Sequence, residues 1–506
     1  MQDLWLVGMM GSGKTTVGEP VAEARGMRFV DVDALLERRE GRSVEEIFRA
    51  GGEEAFRRME SAEIERLSKQ ATGIEARVIA TGGGGILNAR SVALMRGTGA
   101  VVWLDAPPAS LGRRVGHERP LLAGTDVIEQ LSKILDNRRP LYETAAHFRV
   151  DADRSAESVG AEVAGYARVP VGDSSEVLIG PRLPLRLLPP SPHREQAVVI
   201  AQPGAMAVAH RVMDRLAAEA VPTLIEVPER EGAKSLEVVG MLYRRLAELN
   251  LGRHDTIVGV GGGATTDVAG FAAATWLRGV ECVLVPTTLL GAVDASIGGK
   301  TGINVMGKNL VGAFWHPSRV AISLDVLAAL PEGLLREGSA EVVKAGFIAD
   351  PRIVEILDTH GLFFPMAEVV RRAVTVKADV VTGDFREAGR RAILNFGHTI
   401  GHGIEVVCGL PHGYAVSVGM VAAAAISADR YGFDENLVRH PLEGLGLPTR
   451  AAGAHREVVR RLVSRDKKRT AAGMRMVLLR GMGDPVVEQV DGDSVELGLD
   501  AIGVDP

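Results

Sequence analysis

The sequence predicts an α/β protein of two or three domains, and three observations support this. The chain has 506 residues, more than the ~250–300 that a single hydrophobic core usually holds. It contains 60 glycines, which suit tight turns between strands and helices. Short apolar runs typical of buried strands alternate with helical segments over much of the chain, and this alternation predicts parallel sheets.

The distribution of these strand-like and helical runs divides the chain into four segments. Residues 1–168 alternate strands and helices and predict a first α/β domain. Residues 169–193 are rich in Pro, Gly and Ser, and predict a linker that leads into the first strand of a new domain. Residues 194–335 repeat the α/β pattern. Strand-like runs then fade, and residues 336–506 predict a mostly helical domain.

The composition of the chain limits the kinds of molecule that it is expected to bind. Apolar residues make up 46% and charged residues 24% of the chain, and the net charge of −6 disfavours nucleic acid. No apolar run reaches the ~18–20 residues that span a bilayer, so no membrane partner is expected. The two cysteines, Cys282 and Cys408, lack metal-type spacing. We therefore expect a cytoplasmic protein that acts on small molecules.

A phosphate-binding loop follows the first predicted strand, residues 4–7. Gly8 to Thr15 fits the pattern GxxxxGK[ST], and a predicted helix at 15–25 directs its positive end at the anion. Lys14 suits the β- and γ-phosphates, and Thr15 suits Mg²⁺. The pattern predicts an ATP site with Mg²⁺ formed by Gly8, Gly11, Ser12, Gly13, Lys14, Thr15 and Thr16.

Further residues of this domain each have an ordinary structural interpretation, such as a helix cap, a turn or a solvated helix face. In combination with the loop, their order and spacing resemble shikimate kinase along nearly all of residues 1–168. The residues that carry this resemblance are Asp31, Asp33, Arg57, Gly82, Gly83, Gly84, Arg119 and Arg138.

The resemblance implies a role for each side chain. Asp31 helps to hold Mg²⁺ through water, and Asp33 binds the shikimate hydroxyls and orients the attacking one. Arg57 and Arg138 bind the carboxylate, for which forked guanidinium groups are suited. Arg119 stabilises the transferring phosphoryl group. Lys14, Asp33 and Arg119 form the implied catalytic set.

The remaining implied contacts of this domain are with adenine and, through backbone groups of the protein, with the substrate. Arg154, together with Arg113 or Arg114, matches the adenine contacts, and Gly82, Gly83 and Gly84 line shikimate through backbone groups. Another small P-loop kinase, for gluconate or a nucleoside monophosphate, is the alternative. The pair Arg57 and Arg138 favours a carboxylate acceptor.

Two anion sites are predicted in the second half. A predicted strand, a GGG turn and a helix at 258–267 suit a dinucleotide pyrophosphate, although the turn lacks GxGxxG. Lys300 and the stretch from Gly307 to Asn309 lie by further glycine-rich turns and suggest a second anion.

The same half carries residues of the type that bind metals. His398 and His402 are spaced i, i+4 on one helix face, His412 follows ten residues later, and Glu341 lies on an earlier helix with Lys344. Such a group favours a zinc-like site with one open position. Spacing alone leaves open which three residues ligate.

Long strings in residues 175–490 resemble 3-dehydroquinate synthase: GGGATTDVAGF, VDASIGGKTGIN, GAFWHP, AEVVK, NFGHTIGH and PHGYAVSVGM. The resemblance implies Zn²⁺ or Co²⁺ ligated by Glu341, His398 and His412. It implies NAD⁺ bound within 194–335 by Glu231, Lys234, Gly261, Gly262, Gly263, Asp267, Thr287, Thr288, Asp294 and Lys308. It implies the heptulosonate phosphate bound by Arg278, Asp294, Lys300, Asn309, Lys344, Lys377, Arg391, Asn395, His402 and Lys467.

Within that set, Lys300, Lys344, Arg391 and His402 are the implied catalytic residues. Gln202 departs from the family, which has an acid for the adenosine ribose at this place, and predicts weaker NAD⁺ binding. A metal-dependent polyol dehydrogenase is the alternative enzyme, and a degenerate binding module is disfavoured because both motif sets are present. The resemblance also implies a homodimer through the C-terminal half.

The complete reading is an N-terminal P-loop kinase domain with a parallel sheet, then a Rossmann-like α/β domain for NAD⁺, then a mostly helical metal-binding domain. The implied activities are two non-adjacent steps of the pathway to aromatic amino acids, phosphorylation of shikimate and formation of 3-dehydroquinate.

Overall fold

A computed structural model describes residues 2–70, 75–115, 126–451, 453–467 and 474–504, apart from the side chains of 464–467. The chain forms two compact units. The first contains Met1–Val169 with Leu178–Leu187, and the second contains Pro170–Val177 with Leu188–Pro506. The segment 169–193, predicted as a linker, thus contributes residues to both units.

The first unit is built on a five-stranded parallel sheet with the order β2-β3-β1-β4-β5. Its strands are β1 (Asp3–Val7), β2 (Arg28–Asp31), β3 (Arg77–Ala80), β4 (Gly99–Asp105) and β5 (Phe148–Asp151). Strands β1, β3 and β4 are buried along their whole length, as expected for parallel strands covered on both faces. This order brings the carboxyl ends of β1, β2 and β3 together at one edge of the sheet.

In the described part of this unit, seven helices surround the sheet: α1 (Lys14–Ala24), α2 (Val32–Glu40), α3 (Val44–Lys69), α4 (Ala89–Thr98), α5 (Pro108–Arg114), α6 (Val127–Ala145) and α7 (Ala156–Val163). Side-chain caps fix where several of them begin. Asp31 accepts a hydrogen bond from the Ala34 amide at the start of α2, and Ser43 and Glu46 form a reciprocal capping box at the start of α3.

The strands that follow form a seven-stranded sheet of order β6-β7-β14-β11-β10-β8-β9 and a separate small β12–β13 hairpin. The strands are β6 (Ala167–Val171), β7 (Ser175–Gly180), β8 (Gln196–Ala201), β9 (Val221–Glu226), β10 (Thr256–Gly261), β11 (Glu281–Pro286), β12 (Lys300–Ile303), β13 (Val311–Phe314) and β14 (Arg319–Ser323). Neighbouring strands are parallel in the part of the sheet with the order β14-β11-β10-β8-β9. Helices α8 (Met206–Leu216), α9 (Leu236–Glu248) and α10 (Gly263–Thr275) connect them.

Helices dominate the rest of the chain: α11 (Leu324–Ala328), α12 (Glu332–Ile348), α13 (Arg352–His360), α14 (Met366–Gly383), α15 (His398–Cys408), α16 (His412–Tyr431), α17 (Asn436–Gly444), α18 (Arg456–Lys467) and α19 (Gly492–Ala501). An antiparallel hairpin, β15 (Met474–Gly481) and β16 (Asp484–Val490), interrupts them and was not expected from the sequence. Among the described residues, no helix is both long and apolar enough to cross a bilayer. The predicted fold class is confirmed.

Helices α15 and α16 pack unusually close together. A Cβ atom added to Gly419 on α16 would lie 1.9 Å from the Gly397 carbonyl oxygen, directly before α15. Gly397 itself has a φ of 81°, in the left-handed region that favours glycine. The two glycines therefore permit the backbone contact that packs the start of α15 against the middle of α16.

Candidate active sites

The phosphate loop connects β1 to α1 and requires glycine. Gly8, Gly11 and Gly13 have φ values of 152°, 77° and 88°, which side chains disfavour. Lys14 Nζ donates to the carbonyl oxygens of Gly8 and Met9, at 2.9 and 3.0 Å. The loop and the first turn of α1 thus form the anion-binding arrangement that the motif predicts.

The two residues predicted to hold Mg²⁺ lie together. Thr15 Oγ1 donates to Asp31 Oδ2 at 2.7 Å, while Asp31 Oδ1 caps α2 through the Ala34 amide at 3.2 Å. Asp33 follows in the first turn of α2. Because Asp31 ends β2, its carboxylate lies at the same sheet edge as the phosphate loop.

Arg57 lies against the glycine turn that follows β3. A Cβ atom on Gly84 would lie 2.1 Å from Arg57 Cζ, so only glycine leaves room for this guanidinium. Arg57 donates to Glu60 at 2.7 Å and to Glu53 at 3.2 Å. Burial raises the pKa of Glu60, and the charge of Arg57 opposes that rise.

The same turn is contacted from α6. Arg138 and Tyr142 both donate to the Gly83 carbonyl oxygen, at 3.1 and 2.8 Å. A Cβ atom on Gly82 would lie 2.4 Å from Glu60 Oε1 and 2.7 Å from Asp33 Oδ1. The structure therefore gathers Asp33, Arg57, Gly82, Gly83, Gly84 and Arg138 in one pocket.

Two residues of this pocket were missed by the sequence reasoning. Glu60 is three residues from Arg57 on α3, and Tyr142 is four residues from Arg138 on α6. Both spacings place side chains on one helix face and were available as a signal. Burial raises the pKa of Tyr142, which keeps its hydroxyl a hydrogen-bond donor.

The predicted adenine contacts meet at one turn after β5. Arg114 donates to the Ala152 carbonyl oxygen at 3.0 Å, and Arg154 donates to that of Asp151 at 3.0 Å. Arg113 instead contacts Ser110 within α5. Arg119 lies outside the described residues.

In the second unit the GGG turn joins β10 to α10. A Cβ atom on Gly261 would lie 2.6 Å from Thr265, and one on Gly263 would lie 3.1 Å from Ala295, so side chains would fill this cradle. The Thr287 amide donates to the Gly261 carbonyl oxygen at 2.8 Å, and Thr288 follows at the same edge. The open backbone of this turn fits a dinucleotide pyrophosphate.

A buried lysine organises the neighbouring residues. Lys234 is 3% exposed, and its Nζ lies 2.5 Å from both Asp267 Oδ2 and Asn309 Oδ1. Burial raises the pKa of Asp267 to about 6, although the Lys234 charge opposes the rise. Asn309, assigned from the sequence to the substrate phosphate, thus contacts a residue assigned to NAD⁺.

The loop before Asn309 is tied to the same region. Asn304 donates from its amide nitrogen Nδ2 to Glu231 at 2.6 Å, and its backbone amide donates to the Lys234 carbonyl oxygen at 2.7 Å. Gln202, which replaces the acid expected after the first strand, accepts a hydrogen bond from Thr265 at 2.7 Å. That bond holds the Gln202 amide beside the start of α10.

Glu341, His398 and His412 form a metal-sized cluster. Glu341 is 3% exposed on α12, and its Oε1 lies 3.8 Å from the Nε2 atoms of both histidines, which begin α15 and α16. Among the described residues, Glu341 Oε1 is a buried oxygen without a hydrogen-bond partner. Bonds of ~2.0–2.2 Å to one ion would join these three atoms, so the residues fit Zn²⁺ or Co²⁺.

Charge around this cluster keeps one histidine neutral. Burial and the nearby Lys344 hold the pKa of His398 well below its usual value, and neutral imidazole is the form that binds metals. Lys344 also forms an ion pair with Glu341. The ring of His402 lies 5.2 Å from that of His398, so His402 borders the cluster.

A partly buried ion pair lies beside the metal cluster. Asp294 and Lys377, from the loop after β11 and from α14, are paired. Burial would raise the pKa of Asp294, but Lys377 and Lys344 outweigh it and hold the pKa well below its usual range. The ionised carboxylate and two ammonium groups form a polar wall suited to substrate hydroxyls or a carboxylate.

The predicted phosphate contacts Lys300 and Asn395 share one acid that sequence reasoning missed. Lys300 forms an ion pair with Glu387, and Asn395 Nδ2 donates to Glu387 at 2.8 Å. Arg391 is buried and lies against Gly298, where a Cβ atom would be 2.7 Å from its NH2 atom. These side chains therefore converge on one basic pocket.

One predicted phosphate contact, Arg278, is not part of this convergence. Arg278 lies in an exposed turn after α10, with φ values of 49° at Leu277 and 67° at Arg278. The side chain of Lys467 lies outside the described residues.

A further acid, Glu405, was also missed. It lies on α15, seven residues after His398 and three after His402, a spacing that places all three on one face. Its Oε2 is 3.3 Å from His412 Nδ1, and Lys308 Nζ donates to its Oε1 at 2.5 Å. The spacing of Glu405 from His398 and His402 is the sequence signal that could have identified it.

The folds and clusters define two classes of enzyme unit, a P-loop phosphotransferase and a metal-dependent enzyme on a dinucleotide-binding α/β fold. Residues 10–166 match the family model for shikimate kinase. Residues 224–337 and 338–469 match those for the N-terminal and C-terminal parts of 3-dehydroquinate synthase. The chain therefore belongs to the 3-dehydroquinate synthase family and carries a shikimate kinase domain ahead of it.

Curated relatives support the assignment of the second unit to the 3-dehydroquinate synthase family. The 3-dehydroquinate synthase of Thermobifida fusca is 49% identical over 275 residues, which are 52% of this chain and 75% of the relative. That of an Arthrobacter species is 42% identical over 356 residues, covering 67% of this chain and 97% of the relative.

Solved structures share the fold of the second unit. A 2-deoxy-scyllo-inosose synthase complexed with carbaglucose-6-phosphate, NAD⁺ and Co²⁺ has a TM-score of 0.59 and 25% identity, over 66% of this chain and 99% of that one. ValA, a 2-epi-5-epi-valiolone synthase from Streptomyces hygroscopicus with NAD⁺ and Zn²⁺ bound, has a TM-score of 0.57 and 26% identity, over 61% and 91%. The predicted kinase and lyase classes are confirmed, while the roles of individual residues stay predictions.

Proposed function

We propose that the second unit converts 3-deoxy-D-arabino-heptulosonate 7-phosphate to 3-dehydroquinate and phosphate, and that the first transfers the γ-phosphate of ATP to the 3-hydroxyl of shikimate. The observation that carries the lyase proposal is the buried Glu341 Oε1, 3.8 Å from two histidine Nε2 atoms. Family membership supports the same reaction.

In the second unit, Glu341, His398 and His412 would hold Zn²⁺ or Co²⁺, and the GGG turn with Lys234 and Asp267 would hold NAD⁺. When bound there, the metal would supply polarisation of a substrate hydroxyl and NAD⁺ would supply transient hydride acceptance without net oxidation.

The protein's own residues then position the substrate. Lys300 and Asn395 bind the phosphate, displacing Glu387 as their partner. Arg391 and Lys377 bind the carboxylate, and Asp294 accepts from a ring hydroxyl. Lys344, next to Glu341, is the group placed to hold a proton near the reacting hydroxyl.

In the first unit, Lys14 binds the transferring phosphate and Thr15 with Asp31 would hold Mg²⁺. Asp33 orients the shikimate hydroxyl, while Arg57 and Arg138 bind the carboxylate on either side of the glycine turn. Their contacts at Gly84 and Gly83 support this arrangement.

The test for the lyase is phosphate release from the heptulosonate phosphate with NAD⁺ and Zn²⁺ or Co²⁺, before and after chelation. Chelator-sensitive release without accumulating NADH is expected. Net NADH, or no release, would indicate a polyol dehydrogenase or an inactive domain. The kinase is tested separately by ADP formation with shikimate, using gluconate and a nucleoside monophosphate as comparison acceptors.

We propose in addition a homodimer through the C-terminal half and a cytoplasmic location. The two cysteines, Cys282 and Cys408, are both free, which fits a reducing compartment. Sedimentation of the full chain at several concentrations tests the dimer.

A further inference from the structure

His412 has polar partners on both sides of its ring. Its Nε2 lies 3.8 Å from Glu341 Oε1, in the metal cluster, and its Nδ1 lies 3.3 Å from Glu405 Oε2 on the opposite side. A carboxylate only accepts, so Nδ1 carries the proton in this contact. The lone pair then remains on Nε2, which faces the cluster.

Glu405 is itself held in place. Lys308 Nζ donates to its second oxygen, Oε1, at 2.5 Å. Lys308 is adjacent to Asn309, which contacts the buried Lys234 at the NAD⁺ side of the unit. A continuous set of contacts therefore runs from the loop at Asn309 through Lys308 and Glu405 to His412.

We propose that Glu405 is a positioning residue for the metal centre, which fixes the tautomer and ring orientation of His412 so that Nε2 can ligate. This inference rests on the metal site of the proposed function. Carboxylates that accept from the second nitrogen of a ligating histidine typically change metal affinity ~10–100-fold when removed. Lys308 anchors Glu405 and has a smaller effect, because its loss leaves the bond between Glu405 and His412 in place.

His402, Glu405 and His412 also lie close enough together to hold an ion of their own. In that arrangement Glu405 is itself a ligand, and the chain binds two ions. Because His412 belongs to both groups, its Nδ1 cannot donate to Glu405 and ligate a second ion at once. The number of ions bound therefore separates the two arrangements.

The experiment titrates Co²⁺ into the metal-free full chain and follows the visible absorption of the bound ion. We compare wild type with Glu405→Gln, Lys308→Met and the control Glu332→Gln. The control removes an acid from an exposed ion pair with Arg336 at the start of α12, the helix that carries Glu341. Thermal unfolding of the metal-free variants checks that each chain folds.

One Co²⁺ per chain is expected in every variant. Its dissociation constant should rise ~10–100-fold in Glu405→Gln with an altered absorption spectrum, rise less in Lys308→Met, and stay unchanged in Glu332→Gln. Wild-type affinity and spectrum in Glu405→Gln overturn the proposal. A wild-type stoichiometry of two that falls to one also overturns it.

Failure of the lyase proposal gives a different result. A chain that binds Co²⁺ in this Glu405-dependent way but releases no phosphate keeps the positioning role and loses the proposed reaction. If Glu405→Gln fails to fold, Glu405→Asp takes its place, because the shorter side chain withdraws the carboxylate from His412 Nδ1; a wild-type dissociation constant and spectrum in that variant overturn the proposal.

Discussion

The buried Lys234 ammonium lies 2.5 Å from the half-buried Asp267 carboxylate beside the GGG turn. Burial raises the pKa of this carboxyl to about 6, against an ordinary value of ~3.9. The carboxylate is therefore ionised above pH 6 and becomes protonated below it. At neutral pH the pair presents a charged acceptor where NAD⁺ is proposed to bind.

NAD⁺ affinity should consequently weaken as the pH falls through about 6. Protonation removes an acceptor for ribose hydroxyls and releases Lys234. Isothermal titration of the full chain with NAD⁺ from pH 5 to 8 measures this, with Asp267→Asn as the matched variant. In that variant the affinity should be lower at pH 8 and lack the step near pH 6. A wild-type dissociation constant that is flat across the range contradicts an NAD⁺ role for Asp267.

Replacing Arg57 by Ala should weaken shikimate binding and leave ATP binding unchanged. A hydrogen bond to a charged group contributes ~1.5–3 kcal/mol, which corresponds to a roughly 10–100-fold loss of affinity. Arg58→Ala is the matched control, because Arg58 is adjacent, exposed and paired only with Glu54 in the contacts described. Shikimate and ATP dissociation constants are measured for both variants.

Arg57→Lys adds a second comparison, because a lysine retains the charge beside Glu60 but not the fork. If it binds shikimate as wild type does, a bidentate grip on the carboxylate is contradicted. If Arg57→Ala binds shikimate normally, the assignment of this pocket is wrong.

Gly84→Ala tests the same pocket from the backbone side. The added methyl would lie 2.1 Å from Arg57 Cζ, so the guanidinium must move. We expect a rise in the KM for shikimate with little change in that for ATP. Gly97→Ala, on α4, meets nothing within 4 Å and serves as the control. An equal effect in both variants would indicate a general loss of stability instead.

Local motifs were predictable from the sequence. The phosphate loop was predicted because Gly8, Gly13 and Lys14 lie within one short stretch of sequence and the loop conformation follows from residue type. The spacing of His398, His402 and His412 predicted a metal site, whereas the choice of Glu341, His398 and His412 as ligands came from the resemblance to 3-dehydroquinate synthase. The α/β pattern and the mostly helical domain at 336–506 followed from the alternation and fading of strand-like runs.

Long-range pairings were not predictable from one sequence. Asn309 was assigned to the substrate phosphate, yet its side chain meets Lys234, 75 residues away. Glu387 joins Lys300 across 87 residues. Such pairs depend on how strands and loops pack, and periodicity contains no information about them. The hairpin of β15 and β16 was missed although Gly481, Gly483 and Pro485 give a turn signal between its strands, because the long helical region before it was extended to the end of the chain.

The contact between Gly397 and Gly419 leads to a prediction about the metal centre. In Gly419→Ala the new methyl would lie 1.9 Å from the Gly397 carbonyl oxygen and 2.7 Å from the Gly401 amide nitrogen. Both are backbone atoms, so a rotamer change cannot relieve the clash, and α15 must shift against α16. His398 and His412 begin these two helices, so their Nε2 atoms should separate and Co²⁺ should bind at least ~10-fold more weakly.

Gly444→Ala provides the control for this change, since an added methyl there meets nothing within 4 Å on helix α17. Overpacking typically costs ~1–3 kcal/mol, so Gly419→Ala should also lower the melting temperature, whereas Gly444→Ala should keep both properties. Co²⁺ titration and thermal unfolding of the metal-free chains separate the two effects. If Gly419→Ala melts earlier but binds Co²⁺ as wild type does, the close helix contact stabilises the fold without setting the geometry of the metal ligands. If both properties fall together, the spacing between α15 and α16 is what places His398 and His412 on one ion.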